Sequence, residues 1–461
     1  MRARRARGAG ACLLAVAATV GSTRAASAAG FATAHFGGEH GSVVTTNPTA
    51  LYYNPAGMAF SDGLHLMVDG NLALRNANAS HSRSPTDPPD PPGGEGANTG
   101  NAHLFNVFGA PALGATMRVG RLALGAGLFV PFGGQEHFDQ NTRFSSSPFY
   151  LAADGIQRWH VIDGQQAYVY GSVGAAYRIG PLSIGAAANL ILSSISLLRA
   201  VVPPFGDPDT ANEGRSRLDV SAVNGGFGAG VMLEALPERL WVGASYQSQP
   251  GVGPQTLTGT LDNSTPYSQP PAASTQRVSF RQALPDVVRV GARWRVRHDL
   301  ELRLFGDFTR WSVMKSQCLS FESSACAVLP DGSPAPGATV LLNLRRNWND
   351  TYHAHAGASY WVDPDVELFA GAGFETAAVP DATLEPTFMD ADDVEAALGG
   401  RFFVAHWIHV AVSFTLLQFF DRDNTGKSQL ASAELPTRQE DAGGHYDQVV
   451  GIFDVNIEKA F

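Results

Sequence analysis

The sequence predicts an all-β protein, a 14-stranded antiparallel transmembrane β-barrel with an N-terminal hatch (plug) in the lumen, on three observations. From Leu64 onward, apolar residues alternate with small or polar ones at period two over segments of about 10 residues. The connections between those segments alternate between tight turns and long polar loops. The composition pairs 50 Gly and 28 Pro with 44% hydrophobic and only 16% charged residues. That is too apolar for a disordered chain, and no long window rich in Ala, Glu, Lys, Leu and Arg suggests a helical bundle. The 461 residues by themselves suggest about three soluble domains, but closed β architectures of this size form one. Beyond the N-terminus no run of about 18 apolar residues occurs, which excludes membrane-spanning helices. Barrel strands escape that test, because only every second residue faces lipid.

Residues 1–28 read as a secretory signal. Arg2, Arg4, Arg5 and Arg7 precede an apolar run from Ala11 to Val20, and Ala26-Ser27-Ala28 is an A-x-A cleavage pattern. The run is too short to anchor in a bilayer. Arg4-Arg5 lacks the flanking residues of a twin-arginine signal, and Cys12 precedes the apolar core, so it is read as signal and not as a lipidation site. Removing this segment leaves 27 basic against 42 acidic residues, about −15, which speaks against a nucleic-acid partner.

Residues 29–63 are too few for a domain and show no clear alternation, yet they contain Phe31, Phe36, Leu51, Tyr52, Tyr53 and Met58. Such side chains need shelter, and the lumen of a barrel of this width supplies it. This segment is the expected hatch.

Residues 64–461 carry the barrel. Leu122, Leu124, Ala126, Leu128 and Val130 share one face of the third strand, opposite Ala123, Gly125, Gly127 and Phe129. Ile408, Val410, Val412, Phe414 and Leu416 repeat the pattern. Strands are expected to begin near Leu64, Leu104, Arg121, Gln165, Pro181, Arg217, Arg239, Pro285, Asp299, Asn347, Asp365, Asp393, Trp407 and Asp447. Long connections are expected at 76–103, 132–164, 200–216, 251–284, 313–346, 379–392 and 421–446, with Ser82 to Gly100 as a mobile external loop. A soluble sandwich or propeller also alternates, but has no reason to make every second loop long. Tyr177, Trp241, Trp294, Trp348, Tyr360, Trp361 and Trp407 lie near strand ends, where interfacial anchors belong. Cys318 and Cys326, the two cysteines outside the signal, are expected to pair in an exported protein. The last strand ends on Phe461 after Phe453, Val455 and Ile457, the kind of terminus that outer-membrane assembly machinery reads.

Several stretches resemble one family. Ala29-Gly30-Phe31, NPTALYYNPAGMAF from Asn47 to Phe60, LALGAGLFVPFG from Leu122 to Gly133, LPDVVRVGARW from Leu284 to Trp294 and NWNDTYHAHAGASYW from Asn347 to Trp361 look like the FadL/TodX outer-membrane transporters for hydrophobic compounds. The resemblance implies a monomeric barrel in the bacterial outer membrane, blocked by its hatch. It implies passive uptake of long-chain fatty acids or other apolar molecules such as aromatic hydrocarbons; separately, the residues lead us to expect no cofactor. Ligand is caught between extracellular loops and leaves through a lateral opening beside a kinked third strand. Carried over, Asn54, Pro55 and Ala56 make the hatch contact with that kink, and Gly125 or Gly127 supplies the bend. Independently of the family, glycine within a strand permits a bulge, although Asn-Pro also simply makes turns.

Other constellations are open at this stage. Arg289, Arg293 and Arg295 share the lumen face of one strand, and Glu301, Arg303 and Asp307 that of the next. The arginines either meet a ligand carboxylate or fill the barrel as an ion network. His353-x-His355 has the spacing of a chelating pair, but the sequence identifies no third ligand, and the two histidines are read as lining the lumen, with no metal expected. Asp421-Arg422-Asp423-Asn424-Thr425-Gly426 begins like a calcium loop, but has Thr425 and Ser432 where ligands are expected. No zinc-protease motif, nucleophile elbow or phosphate loop occurs, so the chain is read as a transporter and not an enzyme. The alternatives are an outer-membrane lipase or esterase, for which no Ser/His constellation stands out, and a passive porin or structural surface protein, which has no need of a hatch.

Overall fold

A computed structural model describes residues 36–461 apart from 203–207, 268–270 and 406. The expected signal segment 1–28, with Cys12, and the Ala29-Gly30-Phe31 start lie outside the described residues.

Fourteen strands close into an antiparallel barrel. They begin with β1 (Gly63–His81), β2 (Gly100–Val119), β3 (Leu122–His137), β4 (Asp163–Ile179), β5 (Leu182–Val201), β6 (Gly214–Leu236) and β7 (Leu240–Gln247). After β8 (Gln255–Thr265) and β9 (Ala272–Gln282), the wall resumes with β10 (Val287–Arg297) and β11 (Leu300–Thr309). Beyond β12 (Ser316–Phe321) and β13 (Val340–Arg345), it continues through β14 (Thr351–Asp363), β15 (Val366–Glu375), β16 (Asp393–Ala405) and β17 (Ile408–Phe419). A two-residue β18 (Arg422–Asp423) precedes β19 (His445–Ala460), which pairs with β1 and closes the ring. The expected strand starts fall within about four residues of these barrel strands. Hydrophobic side chains on the outward parity are exposed, and on the closing seam Val68 lies opposite Ile457 and Leu72 opposite Phe453. A band of this kind is stable only against lipid.

The connections at 251–284 and 313–346 are not plain loops. Barrel strands need only 9–11 residues to cross a bilayer, and the 23-residue β6 continues well beyond that. Its far half pairs with β8, and β8–β9–β12–β13 extend the sheet above the wall. Leu257, Leu261, Val278, Phe280, Leu319, Leu342 and Leu344 make a separate buried core there. Alternation was present in these segments, but their short length and polar flanks hid it. Cys318 of β12 is bonded to Cys326 at its edge, with Cα atoms 6.2 Å apart.

The segment Ser82 to Gly100 is held, contrary to the expectation of a mobile loop. The buried guanidinium of Arg158 donates to Ala97 O and Asn98 Oδ1 and pairs with Glu213. Asn98 Oδ1 also accepts from Trp159 Nε1, and Thr86 Oγ1 donates to Asp441. Among the expected anchors, Tyr177, Trp294, Tyr360 and Trp407 are exposed on the outer face. Trp348 is not an anchor: it is 3% exposed and packs edge-on against Trp311 and Phe388. Trp241 and Trp361 turn inward beneath Arg293 and Arg295.

Candidate functional site: hatch, lateral window and two cavities

The described part of the hatch, from Phe36 to Ser61, is wound into short helical turns at Gly38–His40, Ala50–Tyr53 and Pro55–Phe60. It seats against wall glycines. A Cβ on Gly185 would meet Ala56 N at 2.4 Å, one on Gly230 would meet Asn54 Oδ1 at 2.1 Å, and one on Gly174 would meet Leu51 at 2.6 Å. The lumen face of β4–β6 is therefore bare where the hatch backbone must approach.

Asn54 is fully buried, and both of its side-chain polar atoms are hydrogen-bonded. Nδ2 donates to Val43 O (2.9 Å) and to Val231 O on β6 (3.0 Å), and Oδ1 accepts from Ala56 N (3.2 Å). Pro55 starts the following turn, where its missing N–H costs nothing. The triplet Asn54-Pro55-Ala56 thus docks on β5 and β6, not on a bend in the third strand.

That bend lies elsewhere than Gly125 or Gly127. β3 keeps regular register past both, Gly125 opposite Gly174 and Gly127 opposite Ser172. The register shifts between Phe129 and Phe132, where two residues of β3 intervene against one of β4. Pro131, at the shift, has no N–H to give to a ladder. Gly125 instead makes room for Met58 of the hatch, whose Sδ would lie 2.5 Å from a Cβ there. The bend is met by Phe36 and Tyr52, with ring centroids 5.3 and 5.6 Å from Phe129. Proline carried the relevant signal, and glycine drew attention away from it.

The bend opens the wall. β2 and β3 pair only from Leu113/Leu128 down to Val119/Leu122. They meet again where Asn106 Nδ2 donates to Gln135 O (3.2 Å) and Asp139 N to His103 O (2.8 Å). Between these contacts, over about 20 Å of strand at ~3.3 Å per residue, no ladder bonds join the two strands among the described residues.

Behind the window is an inner cavity of about 120 Å³. Pro131 and Phe132 form its window side, Tyr52 and Tyr53 its floor, and Arg289, Asp307, His353, His355 and Glu395 part of its wall. Arg289 donates to Tyr52 Oη (3.2 Å) and stacks on Tyr52 and Tyr53. Arg293 and Arg295 both face Glu301, at 4.0 and 3.9 Å. Arg293 and Arg295 thus belong to a wall network, and only Arg289 touches the cavity.

Closer to the outside, a second apolar groove runs between β5–β6 and the extended sheet, made of two small cavities of about 40 and 20 Å³. Leu197, Leu218, Phe280 and Leu344 line both, as do Arg199 and Gln317. At the inner end, Arg346 pairs with Glu385 (2.6 Å), which also holds His160 (2.8 Å). Burial pushes the Glu385 carboxyl up, but the Arg346 guanidinium and the hydrogen bond from His160 outweigh it and hold the carboxyl well below its ordinary range. Arg199 differs. Its Nε reaches Ala200 O at 3.5 Å, and among the described residues no carboxylate lies within ion-pair distance. Sequence reading missed this arginine, because it sits at the end of a strand with no charged neighbour to mark it. In the last loop, Lys427 Nζ occupies the space between Asp381 and Asp423 O, both at 3.0 Å, so a cation of the protein's own sits beside the calcium-like segment.

Comparison with known proteins agrees with this architecture. A curated relative, a putative outer membrane protein of Neisseria meningitidis serogroup B, is 24% identical over 355 residues, covering 72% of each chain. Among solved structures, a Pseudomonas aeruginosa FadL homologue superposes with a TM-score of 0.73 at 15% identity, covering 95% of this chain and 100% of that one. The Pseudomonas putida toluene transporter TodX gives 0.63 at 16% identity, covering 95% and 99%. The Ralstonia pickettii toluene transporter TbuX gives 0.60 at 17% identity, covering 94% and 98%. The family model described as outer membrane protein transport protein (OMPP1/FadL/TodX) matches residues 11–461. With a hatch-filled 14-stranded barrel and a match over nearly its whole length, the chain belongs to the OMPP1/FadL/TodX family of outer-membrane transport proteins.

Proposed function

We infer that the protein carries an amphipathic acid with an apolar tail, of the long-chain fatty-acid class, inward by diffusion. The observation behind this reading is the outer groove, where an apolar lining ends at Arg199, a guanidinium without a carboxylate partner among the described residues. A guanidinium beside apolar walls with no direct ion pair, its nearest compensation the Glu385 carboxylate further along the same cavity, favours a ligand that brings one negative charge and a hydrocarbon chain. A pure hydrocarbon leaves that guanidinium without a direct ion pair. From the groove the ligand passes the aromatic cluster of Phe132, Tyr168 and Trp311. It then enters the inner cavity, whose Pro131–Phe132 side adjoins the window between β2 and β3, the exit we assign. No step needs an energy source, and one chain supplies the whole path.

The test is binding to the purified protein in detergent. Oleate is expected to bind, and Arg199→Gln is expected to weaken it about 10- to 100-fold, the worth of a charge-assisted hydrogen bond, with toluene binding unchanged. Toluene binding without oleate binding, or an Arg199→Gln variant that binds oleate normally, sinks the acid reading. Mass spectrometry of co-purified apolar molecules gives an independent identification.

A further inference from the structure

We propose that His353, His355 and Glu395 form a binding site for a single divalent transition-metal ion, Zn²⁺ by ligand type, on the wall of the inner cavity. The two histidines alternate on β14 and so face the lumen together, and β16 brings Glu395 to them across β15. One ligand atom from each of the three residues falls within a common 4.8 Å. His353 Nε2 is 3.2 Å from Glu395 Oε1, close to the ~3.3 Å edge of a tetrahedron with ~2.05 Å metal bonds. His355 Nδ1 addresses the same carboxylate oxygen.

The far side of each ring strengthens the case. His355 Nε2 lies 3.0 Å from Glu39 Oε2, and His353 Nδ1 lies 3.4 Å from Asp307 Oδ2. Each imidazole therefore has a carboxylate at both nitrogens, which requires either two N–H protons or one N–H and one metal ion. The second arrangement is the carboxylate–histidine–metal chain that orients metal-ligating imidazoles. Exchanging one proton on each ring for one divalent ion leaves the charge of the site unchanged. Two imidazoles and one carboxylate suit Zn²⁺ or Co²⁺ better than Ca²⁺ or Mg²⁺, which take oxygen. The fourth position opens on the cavity, which Glu375 and Asp393 also line. Because Glu39 belongs to the hatch, metal occupancy is tied to hatch position.

The experiment uses the full-length barrel in detergent, stripped with chelator, with Zn²⁺ and Co²⁺ as probes. One Zn²⁺ per chain is expected by equilibrium dialysis, and Co²⁺ is expected to give the intense visible absorption of a low-coordinate site. His353→Gln and His355→Gln are each expected to abolish that spectrum while keeping the heat-modifiable gel migration of a folded barrel. Glu39→Gln is expected to weaken binding about 10- to 100-fold as the orienting carboxylate is lost, and the surface control His103→Gln to change nothing. Wild-type protein that binds no Zn²⁺ above background, or Co²⁺ that keeps its pale octahedral spectrum, overturns the proposal. Equal binding by wild type and folded His355→Gln overturns it as well.

Discussion

Asn54 and Glu440 show how single buried polar groups set the behaviour of whole segments. Replacing Asn54 by Ala removes two donors and one acceptor from a site without water access, leaving Val43 O and the Ala56 N–H without their partner. The cost is expected to be about 1–3 kcal/mol for each group left unsatisfied. It should appear as faster hydrogen exchange across the hatch and as a small-solute leak in planar bilayers, with the barrel still folded. Glu440 lies in the long loop before β19, with neither carboxylate oxygen hydrogen-bonded among the described residues. Burial, reinforced by Asp87, pushes its carboxyl up to about 8. The unfolded chain loses this proton in the ordinary carboxyl range, so the folded loop binds more protons between there and pH 8. Its stability is therefore full below that window and falls as pH rises through it. Hydrogen-exchange protection of residues 421–444, measured relative to the intrinsic rate at each pH, should fall from pH 5 to pH 8.5, and Glu440→Gln should flatten that dependence. A slope unchanged in that variant assigns the effect to another group.

At the level of elements, what could be read beforehand depended on whether a pattern was local. Period-two alternation is local, and it placed the barrel strands, because each lipid-facing residue is required by the medium and not by a partner. The window was less accessible. It arises from where β2 and β3 stop pairing, a relation between segments, and its one local trace was Pro131 within an apolar run. Deleting Pro131 is expected to restore register between β3 and β4 and to extend β3 pairing toward β2. Uptake of the apolar ligand should then fall to background while heat-modifiable migration is kept, and normal uptake through such a barrel rules out the window as exit. The extended sheet β8–β9–β12–β13 escaped notice because its strands are short and their core is shared among four segments. Its Cys318–Cys326 bridge closes a short loop, so Cys318→Ser with Cys326→Ser is expected to cost about 2–3 kcal/mol by the chain-entropy estimate. The loss should show as proteolysis confined to residues 313–346.

For the whole molecule, the charge and glycine content acquire a common explanation. Inside the barrel, acids and bases link the hatch to the wall: His40 to Glu367, Glu39 to Arg303 and His355, and Gly37 N to Asp69. None of these pairs could be inferred from sequence, since each joins residues far apart in the chain, but the surplus of lumen glycines marked the seat they surround. Broken pairs of this kind leave buried charge, which costs more than the pair contributes when intact. The hatch is therefore expected to leave as a unit and not to loosen gradually. Deleting residues 29–63 removes Glu39, His40 and the apolar residues that fill the lower lumen, exposing wall charges to water that can enter from the periplasmic side. The barrel seam from β1 to β19 does not depend on the hatch, since Leu64 and Phe461 close it by backbone bonds. The truncated protein should thus assemble, migrate as a folded barrel, melt at lower temperature and conduct small ions steadily in planar bilayers. A truncated barrel that neither conducts nor alters ligand uptake means that the lumen is blocked by something other than the hatch.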